Sequence, residues 1–120
     1  MGASSISSDL IRGNIDTIIL RILCEGDNYG YEIIKSISKY SQGQYELKEP
    51  SLYTSLKRLE SQGYITSYWG DESQGGRRKY YTVTPEGTTS YHHSVEAWKT
   101  AKRLIDQLID QLIESGEGLN

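Results

Sequence analysis

The sequence predicts a mainly α fold with a small β-hairpin: a winged helix-turn-helix, α-α-α-β-β-α, ending in a long C-terminal dimerisation helix. Three observations carry that expectation. Within residues 45–84 (YELKEPSLYTSLKRLESQGYITSYWGDESQGGRRKYYTVT), a helix opens at Pro50, buries Leu52, Leu56 and Leu59, and stops at Gly63. Two aromatic-rich strands follow, joined by a glycine-containing loop that leads into Arg77, Arg78 and Lys79. After Thr84-Pro85-Glu86, a last helix places Trp98, Ala101, Ile105, Leu108 and Leu112 at alternating steps of three and four. A helix followed by a hairpin with a basic flank suits duplex DNA, the helix in the major groove and the hairpin along the phosphates.

The elements follow in order. Ile11, Ile15, Ile18, Ile19, Ile22 and Leu23 recur at helical spacing and predict a first helix over Leu10–Glu25 with these residues as its core face. Leu10, Gly13, Thr17, Leu20 and Cys24 form a second line, which is either a contact surface for something else or one edge of a wide buried face. Gly26, Asp27 and Asn28 break the pattern and offer capping side chains for a helix over Tyr29–Tyr40, with Ile33, Ile34 and Ile37 inward. Ser41–Gly43 turns the chain, and Tyr45–Lys48 reads as a short extended segment. The third helix runs from Pro50 to about Gln62. Strands at Tyr64–Trp69 and Lys79–Thr84 alternate partially, and one of Tyr80 and Tyr81 is expected in the core. Thr84, Pro85 and Glu86 supply a capping hydroxyl, a proline at the first helical position and an early acid, so the last helix starts there and runs to about Ser115.

At 120 residues the chain is one small domain with an appended helix, divided into a winged helix-turn-helix DNA-binding domain (1–84) and a C-terminal dimerisation helix (85–120). The lone Cys24 excludes an intrachain disulfide and fits a reducing cytoplasm. No stretch is apolar for long enough to span a bilayer, and MGASSISSDL has neither the basic nor the apolar region of a secretory signal. The expectation is a cytoplasmic protein with no membrane partner. Net charge is −3, which by itself does not advertise nucleic-acid binding. Its distribution matters more: Lys57, Arg58, Arg77, Arg78 and Lys79 gather around the third helix and the hairpin, and the acidic excess lies in the last helix.

With Leu52, Leu56 and Leu59 inward, Ser51, Thr54, Ser55 and Arg58 share the outward face of the third helix, with Tyr53 and Lys57 at its edges. These side chains suit phosphates and base edges. Gly75 and Gly76 allow a tight wing tip and close backbone approach, which sets Arg77 and Arg78 beside the minor groove or the flanking phosphates, while Lys79 suits an acidic partner as well as it suits DNA. Asp71 and Glu72 are expected to point away from DNA or to pair with an arginine. On the last helix, Trp98, Ala101, Ile105, Leu108 and Leu112 make a stripe too long for so small a head to cover, so a homodimer is its natural use. A two-fold dimer matches a palindromic operator; folding back on its own head is the alternative. His92 and His93 point about 100° apart on a helix and have no ligand partner at metal spacing. No nucleophile–base pair, phosphate-binding glycine loop or cofactor motif is present, so neither an enzyme, a metal nor a cofactor is expected. The rival reading is a winged-helix protein-interaction module, which the acidic balance favours and Arg77-Arg78 opposes.

The segments NYGYEIIK (28–35), SLYTSLKRLESQGYI (51–65), GGRRKYY (75–81) and TPEG (84–87) together resemble the PadR family of bacterial transcriptional regulators over nearly the whole chain. The short last helix resembles the small branch of that family typified by a lactococcal multidrug-resistance regulator. The resemblance implies a homodimeric repressor whose first and last helices build the dimer. It also implies an effector site in which Trp98 stacks on a planar aromatic small molecule, walled by Leu10, Gly13, Thr17 and Leu20. Arg21, Cys24 and Lys102 depart from the more neutral or acidic lining of that branch, which disfavours a cationic compound.

Overall fold

The computed structural model describes residues 8–70 and 77–114, with side chains from Asp9 to Gln111. The order of elements is α1 (Ser8–Arg12), α2 (Ile15–Cys24), β1 (Asn28–Tyr29), α3 (Gly30–Tyr40), α4 (Glu49–Ser61), β2 (Ile65–Trp69), β3 (Lys79–Val83) and α5 (Pro85–Glu114). The fold is the expected helical one with a small antiparallel sheet and a long last helix. It differs from the sequence reading at the first helix, which is split into α1 and α2, and at β1.

The first helix is not continuous. Gly13, a weak helix former, and Asn14 make a turn in which the Asn14 N–H donates to the Ile11 carbonyl at 2.7 Å. Asn14 then caps α2 with non-helical angles, and its carbonyl accepts the first helical bond from Ile18. The buried face of α2 is also turned from the predicted one. Ile15, Ile19, Leu20 and Leu23 enter the core, while Ile11, Ile18 and Ile22 are only partly buried against it. Apolar residues cover so much of this helix that periodicity alone does not select one face.

Asn28–Tyr29 makes a third strand instead of capping α3. It pairs with β3 through Asn28↔Tyr81 and Tyr29↔Tyr80, giving the order β1-β3-β2. Asn28 Oδ1 accepts the Tyr29 N–H at 3.0 Å, and no side chain caps α3. Two residues are too short a run to show alternation, so only the partner strand reveals them. The Tyr45–Lys48 segment pairs with no strand among the described residues and ends in extended backbone at Lys48; it delivers Leu47 into the core, and Ser41 Oγ accepts the Tyr45 N–H at 3.1 Å to set the turn before it.

The core joins α2 to Ile33 and Ile37 of α3, Leu52, Leu56 and Leu59 of α4, Ile65 of β2 and Tyr81 of β3. Burying each such side chain contributes about 1.5–3 kcal/mol relative to leaving it exposed. Gly63 takes a φ of +79°, the left-handed stop that the sequence implies for α4. Pairing in the hairpin runs from Ile65↔Val83 to Trp69↔Lys79. Ile65 is buried, Ser67 half-buried and Trp69 exposed, because the core lies beneath only one end of the hairpin. Tyr81 is the inward tyrosine of the Tyr80-Tyr81 pair, and burial raises its phenol pKa above the ordinary value.

Thr84 fastens α5 to the head. Its Oγ1 accepts the Gly87 N–H at 3.0 Å and donates to the Gly63 carbonyl at 2.7 Å. Thr84→Ala is expected to cost about 1 kcal/mol, lowering Tm by several degrees, with Thr84→Ser close to the original protein. Thermal unfolding followed by circular dichroism checks this. Gly87 is buried and Tyr91 packs on the core, whereas every described side chain of α5 from Glu96 onward is exposed. No helix among the described residues is long and apolar enough to cross a membrane.

Candidate nucleic-acid interface

Helix α4 shows Ser51, Thr54 and Lys57 to solvent, as the leucine stripe dictates. The Thr54 hydroxyl donates back to the Pro50 carbonyl at 2.9 Å, so its remaining capacity is as an acceptor. Tyr53 is half-exposed and rests on the start of α3: a Cβ at Gly30 would collide with its phenol oxygen. Ser55 departs from the expected outward set. Only 4% exposed, it lies on the core side of the helix one turn from Leu52 and Leu59, and its hydroxyl accepts from Arg58 Nη2 at 3.1 Å.

Arg58 is exposed but engaged. Its Nε donates to Asp16 Oδ2 at 2.8 Å and its Nη2 to Asp16 Oδ1 at 2.9 Å, a two-bond pair from α4 to α2. The bonds to Asp16, and the carboxylate charge, raise its already high pKa further. Asp16 was not among the residues that sequence patterning singles out, because nothing local marks a partner 42 positions away.

The basic run that leads into β3 lies on aromatic rings. Arg77 sits over Trp69 at 5.4 Å, Arg78 over Tyr29 at 4.7 Å and Lys79 over Tyr81 at 5.8 Å. All three cations are exposed. Such contacts hold a guanidinium or ammonium in place while leaving its charge directed outward. The rings are themselves ordered in a row: Tyr29 meets Tyr80 edge-on, Tyr80 stacks on Tyr68 at 5.7 Å, and the Tyr68 hydroxyl donates to Asp27 at 2.6 Å. That bond to Asp27 raises the Tyr68 pKa. Tyr29, Tyr31, Tyr53, Trp69, Arg78 and Lys79 line a groove of about 470 Å³ between the start of α3, α4 and the wing. Alternation in the aromatic strands hinted at the rings, but their pairing with the cations depends on the register of β1 and β2 against β3. Gly76, with Gly75, Asp71 and Glu72, lies outside the described residues.

A second concavity, of about 750 Å³, lies between α2, α3 and α5. Leu10, Thr17 and Trp98 line it together with Ile18, Ile22 and Tyr91. Gly13, exposed in the α1–α2 turn, is not part of the lining, and Leu20 is 2% exposed in the core and cannot wall a site. Ile18 and Ile22 take its place because of the turned face of α2. At the rim Arg21 pairs with Glu25 at 2.7 Å, which offsets the positive charge there. Trp98 at the cavity, and Ile105 and Leu108 beyond it, are 48%, 53% and 59% exposed, and Ala101 is exposed with them. The Leu112 side chain lies outside the described ones. Among the described residues, no three His, Cys, Asp or Glu side chains gather as metal ligands.

Residues 19–93 match the model of the transcriptional regulator PadR-like family. The chain is 42% identical over 107 residues to an uncharacterised protein of Lysinibacillus sphaericus, covering 89% of this chain and 98% of that one. It is 36% identical over 75 residues to the Escherichia coli transcriptional regulator YqjI, of which it spans only 34%. Among solved structures, a transcriptional regulator from Clostridium thermocellum is 50% identical with a TM-score of 0.79, over 85% of this chain and 96% of that one. A PadR family transcription regulator from Clostridium difficile is 38% identical with a TM-score of 0.68, over 80% and 98%.

Proposed function

This chain belongs to the transcriptional regulator PadR-like family, and on that premise we propose that it is a dimeric repressor holding a palindromic operator. In this reading α4 enters the major groove through Ser51, Tyr53, Thr54, Lys57 and Arg58, and the wing lays Arg77, Arg78 and Lys79 along the flanking phosphates. The observation that carries it is the exposed row of three cations, each placed by an aromatic ring, beside the exposed polar face of α4. Residues 1–84 are the DNA-binding unit, and the segment 85–120, which contains α5, joins two copies through the stripe of Trp98, Ala101, Ile105, Leu108 and Leu112. The protein works in the cytoplasm, where its DNA is.

The concavity lined by Leu10, Thr17 and Trp98 takes a planar aromatic effector, as in the multidrug-sensing branch that the sequence resembles. Helix α2 supports a link from effector to operator, since it lines that concavity and also holds Arg58 of α4 through Asp16. The effector acts by binding better to a dimer geometry in which the two α4 helices misfit their half-sites.

The experiment is a titration of the chain into labelled DNA from upstream of its own gene, by fluorescence anisotropy at several salt concentrations. Selective binding with a steep salt slope is expected. Affinity no better than for random DNA would favour a winged-helix module that binds protein. Arg78→Ala is expected to weaken binding to all sequences alike and to lower the salt slope by about one, as loss of one phosphate contact does. An unchanged slope would take Arg78 out of the interface.

A further inference from the structure

Arg58 stands on the flank of α4 that faces α2, and its guanidinium is held bond by bond. Asp16 takes Nε and Nη2 at 2.8 and 2.9 Å, and Ser55 Oγ takes Nη2 again at 3.1 Å. Ser55 is buried, so one of the anchors is fixed by the core. Nη1 makes no hydrogen bond with any described residue, and the side chain is 48% exposed. Its two N–H groups are therefore what Arg58 presents outward.

Stability does not account for the arrangement. Half-exposed ion pairs contribute little to it, and α2 and α4 already meet through Ile15, Ile19, Leu52 and Leu56 in one core. Pre-organisation accounts for it better, since an arginine already confined to one geometry loses less freedom on binding. The charge of the pair also selects the acceptor. Asp16 neutralises the guanidinium locally and would itself repel a phosphate, so a neutral acceptor suits the outward N–H groups better than a phosphate oxygen does.

We propose that Asp16 is a positioning residue for base reading: with Ser55 it holds Arg58 so that Nη1 donates to an acceptor on a base edge, the O6 or N7 of a guanine in the operator half-site. The inference rests on α4 binding DNA, as set out above. It separates two kinds of cation on this surface: the wing cations supply affinity, and Arg58 supplies discrimination.

The test first selects an operator from a random duplex pool with the unaltered chain. Affinities for that operator and for a random duplex are then measured at several salt concentrations for the unaltered chain, Asp16→Asn, Arg58→Lys and Arg58→Gln. Asp16→Asn is expected to lower the ratio of operator to random affinity about tenfold with the salt slope unchanged. Replacing the contacted guanine with 7-deazaguanine should then cost the unaltered protein affinity and the variant little. Arg58→Lys keeps the charge but not the two-bond geometry, and is expected to lose the same discrimination; it carries the test if Asp16→Asn does not fold. An unchanged ratio in a folded variant would make the pair a simple tie between helices. A salt slope lowered by about one in Arg58→Gln would make Arg58 a phosphate contact and overturn base reading. Failure of the unaltered chain to select any sequence would overturn the DNA-binding reading itself, and this inference with it.

Discussion

Gly87→Val is expected to unfold much of the population at temperatures where the original protein is native. A Cβ at position 87 would overlap the Tyr64 carbonyl oxygen and stand 2.7 Å from Val83 Cγ2 and 2.9 Å from the Tyr64 carbonyl carbon. The backbone at Tyr64 is not able to yield, because that carbonyl accepts the Thr84 N–H at 3.0 Å where the hairpin hands over to α5. Either the first turn of α5 lifts from the sheet or β2 and β3 separate. Overpacking of this kind costs about 1–3 kcal/mol and more against backbone, a large share of the roughly 5–15 kcal/mol that holds a domain folded. Thermal unfolding should show Tm falling by on the order of 10 °C, with Gly87→Ala intermediate. A Tm within a degree or two of the original would mean that α5 docks on the head differently.

Ile105→Asp is expected to convert a dimer into folded monomers. Ile105 is 53% exposed and lies beyond the part of α5 that packs on the head, so the head loses nothing by the change. If the stripe from Trp98 to Leu112 meets its symmetry mate, the aspartate is buried opposite apolar side chains without a partner, which its hydration energy forbids. Light scattering should report the monomer mass with Tm little altered. Operator affinity should fall about 100-fold or more, since two linked heads engage their half-sites at a high effective concentration that separate heads lack. A stable Ile105→Asp dimer would place the interface elsewhere on the surface.

The elements that patterning located correctly are those whose signals are local. Pro50 and Gly63 bracket α4 within a residue or so because a proline lacks the N–H and a glycine accepts a left-handed φ, whatever the rest of the chain does. Thr84 caps α5 through a bond that spans three residues. The candidate cations of the wing were legible for the same reason, since a consecutive Arg77-Arg78-Lys79 needs no partner to be recognised.

Distance along the chain explains what patterning missed. Asn28–Tyr29 is a strand only because Tyr80 and Tyr81 lie beside it. Ser55 looks like a polar surface residue, yet it is buried on the core side of α4, where Arg58, itself drawn toward α2 by Asp16, satisfies its hydroxyl. The choice between Leu20 and Ile18 for the core, which decides what lines the concavity, was open in a helix apolar on most of its surface. The order of the main helices and the hairpin strands, the limits of α4, the start of α5 and the run of basic residues were legible from the chain alone, because those follow from contacts among neighbours a few residues apart. Which face of α2 is buried, where the third strand pairs and which carboxylate holds Arg58 emerge only in the folded chain, because they depend on groups brought together from distant parts of the sequence by the packing of one shared core.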